Sequence, residues 1–310
     1  MDEKRTVRTK KRPNAPERGR HHWWPNSLSA NWAREDGRVS QLLASGHVAD
    51  AKPYGFGFEE NSHLAKLSTE YSIWDESIEH MFDQSDGRFP FLIPTLLGLD
   101  TPPLNGDETI GDRLTAHNSS DQLLSDLATC LASLIVRSPS FRHRVRIGTE
   151  SLQRRFAAKP NVSTGLVALK IKHSQEIFER QLNEKGKFII LMSDHTEFAF
   201  GDGFFHNFDE PERPPRNPKF LIPLLPTVAV IYDSRERMSG HSRIFTARMR
   251  SDEVDMINEV TAIYSRNFLY YRLISPRTGS QLLKGVFQQV PNHEDPLIEA
   301  IAEAARQSSS

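Results

Sequence analysis

The sequence predicts an α+β fold, a small mixed sheet of N-terminal and C-terminal strands packed on a central set of helices. Three observations carry this. Leu123, Leu124, Leu127, Leu131, Leu134 and Ile135 recur at helical spacing in mid-chain. Residues 188–192 (Phe-Ile-Ile-Leu-Met) and 227–232 (Thr-Val-Ala-Val-Ile-Tyr) are short apolar runs of strand-forming residues. Strand-like stretches gather toward the two ends with helices between them, which argues against a wound parallel sheet.

Taken in order, residues 1–20 read as a disordered basic arm, with eight Lys or Arg against three Asp or Glu and almost nothing apolar to bury. Residues 21–310 then form a single α+β domain. His21 to Val39 reads as a hairpin turning at Glu35-Asp36-Gly37. Residues 47–60, with Pro53, Gly55 and Gly57, read as an ordered loop, and a helix is predicted from Ile73 to Phe82. The Pro- and Gly-rich stretch 86–119 reads as connection. The Leu stripe predicts a helix over Asp121–Val136, with Ser119 and Gln122 as a capping box. Ser138-Pro139 ends or kinks it, and a basic helix follows from Phe141 to Ala158.

A further helix is predicted over Gln175–Asn183, with Gly186 as its stop. The two apolar runs are central strands, joined by a long loop over 201–219. Within it Gly201-Asp202-Gly203, beside Phe204, Phe205 and His206, reads as a turn or as a cover over a ligand. Two late helices are predicted, Glu253–Tyr264 behind Ser251 and Pro296–Arg306 behind Asp295.

The composition narrows the function. In 310 residues, 39 basic and 40 acidic side chains leave a net charge of −1, so affinity for nucleic acid would have to come from a local patch. The single cysteine, Cys130, excludes a disulfide framework and reads as a small buried hydrophobe. The apolar stretch Phe220–Tyr232 is too short for a membrane span and is broken by Pro223 and Pro226. With no secretory signal either, the expectation is a cytoplasmic protein without a membrane partner. The chain has no Gly-x-Ser-x-Gly elbow, Walker-type loop, Gly-x-Gly-x-x-Gly or His-Glu-x-x-His.

Several separated stretches carry a resemblance. They are His21-His22-Trp23-Trp24-Pro25 with Trp32 and Asp36-Gly37, Leu134 to Arg142 containing Arg137-Ser138-Pro139, Ile190 to Thr196 containing Ser193-Asp194, Ile222 to Pro226, and Asn258 within Asp255 to Glu259. Their order and spacing resemble the bacterial family catalogued as domain of unknown function 4238, over roughly residues 21–270. The chain departs from that pattern where Thr196 stands in place of a proline and where Asn26-Ser27-Leu28 replaces an aromatic segment, so it resembles a diverged member. The resemblance implies a fold and no established activity.

Within those stretches, polar residues form a candidate site. His21 and His22 are adjacent, so in a strand they face opposite ways; imidazole suits proton transfer and metal ligation near neutrality. Asp194 follows an apolar strand and could hold a divalent ion or orient a histidine, or simply turn the chain. Arg137 ends an apolar stripe, where it either pairs with an acid such as Asp194 or holds an anion. The expectation is a hydrolase, possible nuclease chemistry included, with His22, Asp194 and Arg137 as catalytic groups. His21, Arg142 and Asn258 would bind ligand, with a divalent metal ion as candidate cofactor on His22 and Asp194. Nucleic acid would be held by the basic arm and the arginine strip over 137–155, whose default reading is a solvated helix face. The rival expectation is a non-catalytic binding or regulatory protein, for example a component of a bacterial defence or toxin-like locus, in which the same residues form a buried polar network.

Overall fold

The computed structural model describes residues 20–43, 45–60, 62, 64–65, 76–155, 163–207, 218–234, 242–273 and 295–307. Of the basic arm only Arg20 falls within them, as the first residue of a strand; the rest lies outside the described residues.

In chain order, β1 (Arg20–His22) and the short helix α1 (Asn26–Ser29) precede a hairpin of β2 (Val39–Leu43) and β3 (Val48–Ala51). Strand β4 (Phe58–Glu60) returns antiparallel to β1, with His21 opposite Glu59. A ribbon of β5 (Leu64–Ala65) and β6 (Glu76–Ser77) leads through a 3-10 turn, Glu79–Phe82, into α2 (Asp83–Leu97). Next come β7 (Thr115–His117) and the helices α3 (Asp121–Arg137), α4 (Pro139–Arg155) and α5 (Ser163–Glu184). The remainder holds β8 (Lys187–Met192), β9 (Phe200–Gly201), β10 (Phe205–His206), β11 (Lys219–Leu225), β12 (Val228–Asp233), β13 (Ile244–Arg248), α6 (Ser251–Tyr264), β14 (Phe268–Tyr271) and α7 (Pro296–Gln307).

The fold is α+β, with mixed and antiparallel sheets. The larger sheet has the order β10-β11-β12-β8-β13-β7, in which β8 and β13 run parallel and the other described pairs antiparallel. Strands β8, β11 and β12 are buried at every residue, which is why they read as unbroken apolar runs. Pro223 is accommodated within β11 beside a register shift at Pro223/Leu225, where a missing N–H is tolerated. The second sheet, β3-β2-β14-β9, joins the N-terminal hairpin to the C-terminal strand. On it Phe200 stacks with both Trp24 and Tyr270, at 4.2 Å and 4.9 Å between ring centres. No helix among the described residues is long and apolar enough to cross a membrane.

Several elements differ from expectation. The hairpin expected over His21–Val39 is replaced by β1, α1 and a turn at Asp36-Gly37 that feeds β2, and the hairpin partner of β2 is β3, inside the expected loop. The helix expected at Ile73–Phe82 falls partly outside the described residues; its described end is a strand and a 3-10 turn. The helix begins instead at Asp83, inside the expected connection, because Phe89, Leu92, Ile93 and Leu96 share a buried face while Pro90 and Pro94 point to solvent. The cap of α3 is Ser120 rather than Ser119, its side chain accepting from the Leu123 amide at 3.1 Å. Helix α5 is longer than predicted, and the expected 201–219 loop contains β9 and β10.

Candidate anion-binding site

The β1–β4 register decides which histidine turns inward. His21 is 4% exposed, whereas His22, on the opposite face, is half-buried with its ring edge-on to Phe58. His21 Nε2 lies 3.7 Å from Glu79 Oε2, supplied by the 3-10 turn ahead of α2. Burial pushes the His21 imidazolium down; Glu79 opposes this and the nearby Arg142 charge adds to it. His21 is therefore a largely neutral imidazole at physiological pH.

Ser138 builds the second half of the site. Its hydroxyl donates to the Ile135 carbonyl at 2.8 Å, closing α3, and accepts from the Phe141 amide at 3.3 Å, opening α4. Pro139 suits the first turn of a helix, so one serine ends one helix and begins the next. This break sets Arg137, the last residue of α3, and Arg142, in the second turn of α4, close enough for their charges to interact. Arg137 is 1% exposed, stacks its guanidinium 5.0 Å over Phe82, and grips Asp86 with both terminal nitrogens at 3.1 and 2.5 Å.

Arg142 is different. It is 8% exposed, and its Nη1 donates to the Ser62 carbonyl. Its Nε and Nη2 are buried and meet no hydrogen-bond partner among the described residues. Burial pushes its pKa down to about 10, with Glu59 opposing and Arg137 adding, so the group is still a cation at neutral pH. A buried cation with two unmatched nitrogens, flanked by a second arginine and a neutral histidine, is chemically a receptor for an anionic oxygen.

His21, Arg137 and Arg142 thus come together. Asp194 does not join them: it is 51% exposed at the end of β8 and pairs with Arg248, whose guanidinium also donates to the Thr101 and Pro102 carbonyls beyond the C-terminal end of α2. Arg137 grips the N-terminal turn of α2, so the two lie at opposite ends of a 15-residue helix, about 22 Å long. The expected Arg137–Asp194 pair is corrected to Arg137–Asp86. His22 and Asp194, placed likewise at opposite ends, cannot share one metal ion, and the described residues hold no group of three potential metal ligands. Asn258 is buried in α6, accepting from the Ala199 amide at 2.8 Å and donating to the Glu197 carbonyl at 2.9 Å, so it fastens the segment before β9.

The arginine strip over 137–155 also divides. Arg137 and Arg142 turn inward, while Arg146, Arg154 and Arg155 are exposed on α4. Glu79, Glu59 and Asp86 were missed from sequence because their roles depend on pairing across the fold. Comparisons with protein families, with curated proteins and with solved structures return no match.

Proposed function

We propose that this protein is a hydrolase of phosphate esters whose site lies where β1, the Glu79 turn and the α3–α4 break meet. The observation that carries the reading is Arg142. Leaving a buried donor unmatched costs about 1–3 kcal/mol, and a phosphate oxygen would meet both nitrogens at once. In the reaction His21, steadied by Glu79, takes a proton from water as the water oxygen bonds to phosphorus; the bond to the leaving oxygen breaks and that oxygen receives the proton. Arg137, anchored by Asp86, adds positive charge behind Arg142 as negative charge builds on the phosphoryl oxygens. Support also comes from the resemblance to domain of unknown function 4238, since two of its stretches, at His21-His22 and Arg137–Arg142, converge here. Nucleic acid belongs to this substrate class, and a divalent ion is a candidate helper.

Inorganic phosphate is expected to raise the melting temperature of the wild type and leave Arg142→Gln unmoved. Arg142→Gln and His21→Gln are expected to lower kcat/KM on phosphate esters by about 100-fold or more. The reading fails if phosphate gives no shift and no ester or nucleic acid is cleaved with Mg²⁺, with Mn²⁺ or with EDTA. Binding without turnover would favour the second reading, a non-catalytic regulatory protein. That reading draws on the structural engagement of Arg137, Asn258 and Asp194 with Asp86, Glu197 and Arg248.

A further inference from the structure

Resting on the phosphate-ester reading, we infer that Arg142 takes a terminal phosphate, the end of a phosphomonoester, and not the internal phosphodiester of a polymer. The argument is one of depth and of charge. The unmatched nitrogens of Arg142 lie beneath the surface, and the side chains around them, His21 and Arg137, are themselves buried. Only a group that protrudes alone can reach them. An internal phosphodiester is held on both sides by the rest of its chain and would have to bring that chain down with it.

The neighbouring acids select in the same direction. Glu59 stands opposite His21 in the β1–β4 register and so shares its face of the pair. Exposed Glu79 leads directly into α2, whose first turn adds exposed Asp83 and half-buried Asp86. Asp86 is matched by Arg137, while Glu79 lies 3.7 Å from His21 and Glu59 is near enough to act on the Arg142 charge, so negative charge stands beside the buried cation. A nucleic acid carries a charge at every nucleotide. Its flanking phosphates would be repelled by Glu59 and Glu79 within the screening length of about 8 Å at physiological salt. A monoester concentrates a charge of about −1.5 to −2 in one group, with acceptor oxygens suited to a planar guanidinium. Of the exposed arginines on α4, Arg146 is one turn beyond Arg142 and lies 3.9 Å from Glu150, and Arg154 is twelve residues beyond Arg142, about 18 Å along the helix.

The test is calorimetric titration with glycerol 3-phosphate, dimethyl phosphate, and one oligonucleotide prepared with a 5′-phosphate or a 5′-hydroxyl. The monoester and the 5′-phosphorylated strand are expected to bind at least tenfold more tightly than their counterparts. That preference should vanish in Arg142→Gln, and Arg142→Lys, which keeps the charge and loses the planar fork, should weaken monoester binding about tenfold. Asp83→Asn, which changes only an exposed side chain, is expected to raise diester affinity. Diester binding as tight as monoester binding, still dependent on Arg142, would overturn the inference and leave the site standing. No binding by any of the four would remove both.

Discussion

Asp202 shows how a single buried carboxylate can hold two segments together. It has no solvent exposure and accepts from the backbone amides of Arg266, Asn267 and Phe268 and from the Asn267 side chain, tying the end of β9 to the approach to β14. Its glycine neighbours are there for space, since a Cβ at Gly201 or Gly203 would run into Ser265 or into Tyr264 and Ser140. Gly201-Asp202-Gly203 is therefore a structural joint. Asp202→Ala would orphan those donors, and a loss of about 2–4 kcal/mol in urea unfolding is expected; a loss under about 0.5 kcal/mol would contradict this role. Burial pushes the Asp202 carboxyl up to about 6, against the pull of its N–H partners. A folded pKa above the unfolded one means that its stabilising contribution is present below about pH 4 and is lost as pH rises through about 6. The variant should lack that component. None of this is legible in a Gly-Asp-Gly triplet, because the partners lie more than sixty residues away. Cys130, by contrast, was legible: its place in the Leu stripe predicts burial, and burial pushes its thiol far above the ordinary range.

Among the elements, two helix ends were legible because local backbone chemistry encodes them, the Asp295 cap of α7 and the Gly186 stop of α5. The caps expected at Ser119 and Ser251 fall instead on Ser120 and Arg250. Gly186 was expected as the stop of α5, and it adopts φ +82° just past Glu184. The same end is sealed from outside by Tyr232, whose hydroxyl donates to the Lys185 carbonyl at 2.5 Å, and by Arg243, which donates to the Leu182, Asn183, Lys185 and Gly186 carbonyls. A Cβ on residue 186 would lie 2.5 Å from the Tyr232 hydroxyl in a backbone region already costly for L side chains. Gly186→Ala is expected to cost about 2–4 kcal/mol in thermal or urea melts, whereas Gly148→Ala, in α4 with open space around it, should be neutral or stabilising. Helix α2 was not legible, since Pro90 and Pro94 read as breakers and only the tertiary packing of Phe89, Leu92, Ile93 and Leu96 outweighs them.

At the scale of the whole molecule, the fold class and both central strands were legible from periodicity, while the site was not. Which histidine faces inward depends on β1 pairing with β4, and which acid meets Arg137 depends on α2 packing against α3. A second charged assembly lies at the far end of the larger sheet and fastens α7. Lys187 donates to the Ala305 carbonyl at 2.8 Å, Arg306 reaches Asp233 at 2.5 Å, and Lys219 pairs with Glu299. Burial pushes the Lys187 ammonium down to about 8. The unfolded chain keeps that proton to about 10.4, so between these values the unfolded state binds more protons and the Lys187 contribution to stability rises with pH. Urea midpoints at pH 7.5, 8.5 and 9.5 should show this component in the wild type and lack it in Lys187→Met; identical pH profiles would contradict it.

The pairing of β2 with β14 brings residues 39–43 beside residues 268–271. A ribosome adding residues one at a time exposes the early hairpin long before its neighbour exists, by roughly ten to fifty seconds at about 5–20 residues per second. Through that interval the edge of β2 and the tryptophans that later meet Phe200 and Tyr270 have no cover. Closing so long a loop is slow after release as well. Yield in the cell should therefore respond to translation speed and to chaperone supply more than the equilibrium stability of the finished fold would suggest.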